Sequence, residues 1–185
     1  EVPFKLYRGH SWWVPPLRRD ERRRFDPRHN PFLEHATITC WIVEREGQPV
    51  GRVAAVEDRL HDETHGEKTT WFGFFEAADA ATAQLLLQQV ERRAREQGRS
   101  IVRGPVNPSL NETAGLLIEG FEAHPYILMP YNPPEHQGFI EACGYRKAKD
   151  LLAWDIDLTS PVSERIQRVA ERVRQRADIR VRTVD

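Results

Sequence analysis

Thr69-Thr70-Trp71-Phe72-Gly73-Phe74-Phe75-Glu76 is a run of β-branched and aromatic residues broken by one glycine, and it reads as a strongly formed strand. Asp79 follows where a helix N-cap is wanted. Ala83, Leu86, Leu87, Val90 and Ala94 then recur at helical spacing until Gly98 ends the run. Ser100 to Arg103 reads as a second, short strand closed by Gly104-Pro105. A strand, a helix and a further strand in this order predict a sheet carrying a helix on its face.

Upstream, Thr37 to Arg45 and Val50 to Val56 flank the turn Glu46-Gly47-Gln48-Pro49 and read as a hairpin. The opening, Phe4 to Leu17, holds Trp12-Trp13-Val14-Pro15-Pro16 and reads as extended structure, with a charged helix over Arg18 to Phe25 behind it. Arg59 to Lys68 reads as a polar loop. Downstream, Ser109-x-x-Glu112 matches a capping box and predicts a short helix ended by Gly120. Glu135 to Cys143 reads as a helix ended by Gly144, and Lys149 to Leu158 as a last strand with partial alternation. The expected fold class is α/β (α+β), a mixed sheet with helices on its faces. Ser163 to Ala177 is amphipathic, with Ile166, Val169, Ala170 and Val173 on one face, and Ile179 to Val184 reads as a strand that starts something new. The expected organisation is one domain over 1–158, with 159–185 as a linker helix and the first strand of a second unit. The chain starts at Glu1 rather than Met and stops after a strand-like run, so it reads as a piece of a longer protein.

The 185 residues suffice for one domain with a real core. Charged residues make up 30%, yet the net charge is -1, which argues against a dedicated nucleic-acid binder. Two cysteines, Cys40 and Cys143, without a C-x-x-C spacing, suit a reducing compartment, and the expected location is cytoplasmic. No apolar run approaches the roughly 18 residues of a membrane span.

Runs resembling a known family are spread from about residue 12 to residue 154. They include Trp13-Val14-Pro15-Pro16-Leu17, Asn30-Pro31-Phe32, Val50-Gly51-Arg52-Val53 and Phe72-Gly73-Phe74-Phe75-Glu76. Further runs are Arg103-Gly104-Pro105-Val106-Asn107, Gly115-Leu116-Leu117, Gly120-Phe121 and Met129-Pro130-Tyr131-Asn132-Pro133-Pro134. They resemble the YghO-like family of bacterial proteins, and the element order from Thr69 to Leu158 resembles the core of GNAT acyltransferases. The resemblance implies a mostly antiparallel central sheet and two GNAT-like halves in tandem. It also implies acyl-CoA as co-substrate and a small amine or lipid-like molecule as acceptor. The function expected is N-acyl transfer from a CoA thioester to an amine. The alternative is a non-catalytic half with a structural or ligand-binding role, the activity residing in the other half.

The resemblance places the CoA pyrophosphate loop at Glu76 to Thr82. That loop has no glycine and two acids, and an N-capping Asp79 repels phosphate; the alternatives are a structural cap with no phosphate site and a weaker or displaced CoA site on the helix dipole. The usual acid, a tyrosine four residues before Gly144, is replaced by Ile140. Tyr126, Tyr131 and Tyr145 are the possible substitutes, and Tyr131 is the catalytic candidate carried forward. Asn107-Pro108-Ser109-Leu110-Asn111-Glu112 follows a strand, at the edge where open α/β sheets bind ligands. Glu112 is the candidate base. Asn107, Ser109 and Asn111 are the candidate CoA contacts, with helix capping as the competing role for Ser109 and Glu112. His61 and His65 have the i, i+4 spacing of metal ligands but no third ligand nearby, so no metal is expected. The arginines from Arg18 to Arg28 are interrupted by Asp20, Glu21 and Asp26 and read as a solvated helix rather than an anion patch. One face of Trp71 to Phe75 is a candidate wall for an apolar acyl channel.

Overall fold

The computed structural model describes residues 1–176 and 182–183. The chain divides into two units, Glu1–Lys149 and Asp150–Asp185. The first holds α1 (Val2–Leu6), α2 (Arg18–Arg24), β1 (Ala36–Arg45), β2 (Gln48–Asp58), α3 (Arg59–His65), β3 (Thr69–Ala77), α4 (Ala80–Glu96), β4 (Ile101–Arg103), β5 (Val106–Asn107), β6 (Thr113–Ala114) and α5 (Glu135–Ala142). The second holds α6 (Glu164–Arg176).

The main sheet has the order β1-β2-β3-β4. The β1–β2 and β2–β3 pairs are antiparallel, and β3–β4 is parallel over three residues. This is the mixed, mostly antiparallel sheet expected from the sequence. Its faces are set by alternation. Val53, Ala55, Phe72, Phe75 and Ala77 face α4, where Ala83, Leu86, Leu87 and Val90 meet them, with Ile140 of α5 beside them. Glu76 lies between Phe75 and Ala77 and therefore points to the opposite face, where Tyr7, just past α1, reaches it. Burying these side chains against α4 contributes roughly 1.5–3 kcal/mol for each large one.

Several expected elements take other forms. The opening is not wholly extended: Val2–Leu6 is helical. Arg59–His65 is a helix rather than a loop, because Asp58 caps it by accepting from the Leu60 and His61 amides and Gly66 closes it at a φ of 66°. The helix expected from Ser109 to Gly120 does not form. Val106–Asn107 and Thr113–Ala114 pair as a two-stranded ribbon, which places Ser109 in the connecting turn. Its hydroxyl accepts from the Asn111 amide at 3.2 Å, a local turn in place of a helix cap. The strand expected over Lys149 to Leu158 does not form either. Leu152, Trp154, Ile156 and Leu158 keep their alternation, but all are exposed. Alternation supplies side chains, whereas a strand needs a neighbouring edge for its backbone. In α6, Ile166, Val169 and Val173 are also exposed. Most of the strand expected over Ile179 to Val184 lies outside the described residues.

Candidate functional site

The site begins with an irregularity in β3. Ala54 pairs with Gly73 and Arg52 with Glu76, so Phe74 and Phe75 together oppose Val53. This is a β-bulge, and Phe74 takes a φ of 48° within it. Beyond Arg103 the chain leaves β4 through Gly104-Pro105 and passes over Gly73. A Cβ at Gly73 would overlap the Val106 carbonyl, so glycine is required there by close backbone approach. The Phe74 amide, freed by the bulge, donates to the Asn107 side-chain oxygen at 2.5 Å.

On the side of the sheet away from α4, a cavity of about 170 Å³ opens beside this bulge. Tyr7, Trp13, Phe74, Glu76, Asn107 and Tyr131 are among its walls. Tyr7 packs edge-on against Trp13 at 5.1 Å and Tyr131 at 6.0 Å between ring centres. Glu76 is the buried charge here, only 8% exposed. The Tyr7 hydroxyl donates to its Oε2, and the Arg52 guanidinium lies 3.5 Å from its Oε1. Arg52 also stands over the Phe74 ring. Burial pushes the Glu76 carboxyl up to about 7, against the opposing pull of Arg52 and the Tyr7 hydrogen bond. Burial first and the Glu76 charge second push the Tyr7 phenol far above its ordinary range, so Tyr7 is a neutral donor.

The residues singled out from sequence are dispersed. Asn107 and Tyr131 line the cavity. The Tyr131 hydroxyl is 3.4 Å from His10 Nδ1, and burial raises its pKa. Glu112 does not line the cavity but pairs at 3.5 Å with Nε of Arg24, which does, and Arg24 also approaches Glu21 at 3.3 Å and the Asn107 carbonyl at 3.5 Å. Burial raises the Glu112 pKa while Arg24 lowers it. Ser109 and Asn111 sit in the β5–β6 turn. Sequence reasoning missed Tyr7, Arg52 and Glu76 as a group. A glutamate closing a strand of aromatics was a visible signal. Tyr7, 69 residues away, carried none.

The α4 N-terminus is filled by the chain itself. The Asp79 carboxylate accepts from the Thr82 amide at 2.8 Å and from Arg45 Nη2 at 2.8 Å. The Thr82 hydrogen bond first, and Arg45 second, hold its carboxyl down at about 2. A helix N-terminus binds a pyrophosphate through unclaimed amides, and an ionised carboxylate there opposes a second anion. These residues do not fit the CoA pyrophosphate. His61 and His65 stack at 4.5 Å between ring centres, with His61 Nε2 3.3 Å from Glu67. Among the described residues no group of three or more His, Cys, Asp or Glu is placed to hold a metal ion. No helix among them is long and apolar enough to cross a membrane.

No family model matches the chain. Two curated proteins are similar over nearly all of it. Protein YghO of Escherichia coli is 34% identical over 180 residues, 96% of this chain and 46% of that protein. A bacterial ceramide synthase of Caulobacter vibrioides is 35% identical over 173 residues, 92% of this chain and 45% of that protein. The chain thus spans about half the length of these relatives. A crystal structure of a probable acetyltransferase is similar over 88% of this chain and 87% of that one, at 14% identity and a TM-score of 0.44.

Proposed function

We propose that this chain, similar to YghO and to a bacterial ceramide synthase, contributes the proton-accepting site of a GNAT-like N-acyltransferase, which moves an acyl group from a CoA thioester to an amine. The observation that carries this reading is Glu76, a carboxylate buried in an aromatic cavity beside the bulge and poised near neutrality. An amine must lose a proton as its nitrogen bonds to the acyl carbon and the carbon–sulfur bond breaks. A base whose pKa lies near the working pH accepts that proton best. Tyr7 and Arg52 hold the two Glu76 oxygens in place, so the carboxylate is oriented before the amine arrives. The name of the Caulobacter relative, a ceramide synthase, favours amide formation with a lipid-like amine.

The test is turnover of the complete protein with acyl-CoA and a long-chain amine. Glu76→Gln is expected to lower kcat by roughly 100-fold or more with a small change in KM, and Glu76→Asp to retain part of the rate. Near-normal turnover by Glu76→Gln would remove Glu76 from the reaction. A second reading is that this half is non-catalytic. It draws on Asp79 at the α4 N-terminus and on Ile140, which is buried in the core where a tyrosine acid is expected. Full turnover in the Glu76→Gln protein would favour it.

A further inference from the structure

Two stretches of loop border the cavity beside the bulge. Trp13, Val14 and Pro16 line it from one stretch, and Pro125, Met129 and Pro130 from the other. The stretches are joined where the His124 ring packs edge-on against Trp12 at 5.0 Å between ring centres, with His124 Nδ1 3.2 Å from the Trp12 carbonyl. The second stretch turns sharply over Tyr126 to Met129. There the Met129 amide donates to the Tyr126 carbonyl at 3.0 Å, and Leu128 takes a φ of 64°. That turn position favours glycine or asparagine, so a leucine is held there against backbone strain.

The side chains that this rim offers to solvent are apolar. Tyr126 is 80% exposed and Ile127 93%, and Leu128, Trp12, Val14 and Leu17 are exposed on the same rim. Single exposed apolar residues are ordinary, but six on two joined stretches around one opening mark an interaction surface. A turn tip this exposed offers no groove for a protein side chain to fill, and Ile127 and Leu128 bring it no polar side-chain group. Trp12 and Tyr126 carry the two ring types that settle at lipid headgroup level. Helix α2 begins directly after Leu17 and supplies Arg19, Arg22 and Arg23, all exposed and without an ion pair among the described residues. Glu119 and Glu122, exposed ahead of the turn, oppose an anionic surface. Attraction to such a surface therefore falls to α2, and apolar contact to the tip.

We propose that this rim docks on the surface of an anionic lipid bilayer. Ile127 and Leu128 enter the boundary of the acyl chains, Trp12 and Tyr126 lie among the headgroups, and Arg19, Arg22 and Arg23 meet the lipid phosphates. The contact is peripheral, in keeping with described helices too short or too polar to cross a membrane. The mouth of the cavity then opens toward the bilayer, so an amphiphile passes between leaflet and cavity without crossing water. The proposal goes beyond the acyl-transfer reading and does not rest on it, because it concerns where the chain works, whatever reaction Glu76 serves.

The experiment is flotation of the full-length protein with vesicles of phosphatidylcholine alone and of phosphatidylcholine and phosphatidylglycerol in equal parts. Wild type is expected to float with the mixed vesicles, and less with phosphatidylcholine alone. Ile127→Glu combined with Leu128→Glu is expected to lower partition onto the mixed vesicles by roughly tenfold or more, since two apolar side chains lose their burial in lipid. Both side chains are exposed in the fold, so this variant should melt as wild type does. Arg19→Gln, Arg22→Gln and Arg23→Gln together are expected to remove the preference for anionic vesicles, again roughly tenfold or more. Leu85→Glu is the control, an exposed leucine of α4 on the other side of the sheet, and should float like wild type. Absence of wild-type flotation with either vesicle would overturn the proposal. So would flotation unchanged in the tip variant, or reduced equally by Leu85→Glu. Flotation of this chain alone, beside none of the full-length protein, would make the rim an interface with another part of the protein and would also overturn it. Flotation is read without turnover, so loss of the Glu76 role in catalysis would leave these results unchanged.

Discussion

Glu76 at the end of β3 stands three positions before Asp79 ahead of α4, and the two carboxylates meet opposite surroundings. Asp79 is partly open to solvent, accepts a helix amide and an arginine, and is held down at about 2. Glu76 is turned into an aromatic cavity, meets Tyr7 and Arg52 there, and is pushed up to about 7 by burial. The first is settled as structure, since every strong interaction open to it is made within the chain. The second is a charge kept at a cost to stability, the pattern expected where a group has work to do. The difference arises from which face of the turn each side chain leaves, not from residue type.

The largest effect that could break this contrast lies in the pH dependence of stability. Glu76 binds its proton more tightly folded than unfolded, so the native chain holds the extra proton between about 4.5 and about 7. Stability should therefore decline as pH rises through that window and level off above it. Glu76→Gln should remove this contribution, on the order of 3 kcal/mol in urea unfolding between pH 4.5 and 7.5, leaving that of Glu112, whose raised pKa acts in the same direction, and that of His136, whose lowered pKa acts in the opposite one. A slope unchanged in the variant would mean that Glu76 does not carry it. Arg52→Met comes next. It removes the cation that restrains the Glu76 shift, so the end of the declining window should move upward by about one pH unit, or roughly 1.4 kcal/mol. A downward movement would contradict the pairing.

Asp79→Ala should cost about 1 kcal/mol through loss of the helix cap. The Asp79 contribution has the opposite sign in pH: it is present above the ordinary aspartate range near 3.8 and is lost as pH falls toward about 2. Unfolding of wild type and variant should thus converge in acid, and a constant gap would show that the capping charge is irrelevant. Arg45→Ala should have the smallest effect, under about 0.5 kcal/mol by thermal melting, because the Arg45–Asp79 pair is exposed on both sides. A loss as large as that of Asp79→Ala would make the pair, not the cap, the main holder of the carboxylate.

Much of this frame was legible in the residues alone. The hairpin, the β3 run and α4 follow from local chemistry: β-branched and aromatic runs, Gly47 at a φ of 71°, and a helical stripe behind Asp79. The Asp79 cap was legible because its partner, Thr82, is three residues away. The Ser109-x-x-Glu112 pattern misled because the same residues serve a turn, and pairing of Val106–Asn107 with Thr113–Ala114 claimed the backbone first. Asn107 was singled out as a polar group following a strand and Tyr131 as a substitute for the missing tyrosine acid, and both line the cavity. Glu112 was assigned as a base from position alone, and Arg24, 88 positions earlier in the chain, is its partner.

Local sequence thus specified the strands, the main helix and the helix cap, because those depend on neighbours within a few residues and on a period of two or 3.6. The cavity was a matter of three-dimensional assembly. Tyr7, Arg52 and Glu76 come from three separate elements, and a one-residue bulge at Phe74 and Phe75 decides which way the end of β3 faces. Burial, which raises the Glu76 pKa, is a property of everything packed around it. No window of sequence contains that information, since a side chain's desolvation is set by atoms distant along the chain and near in space.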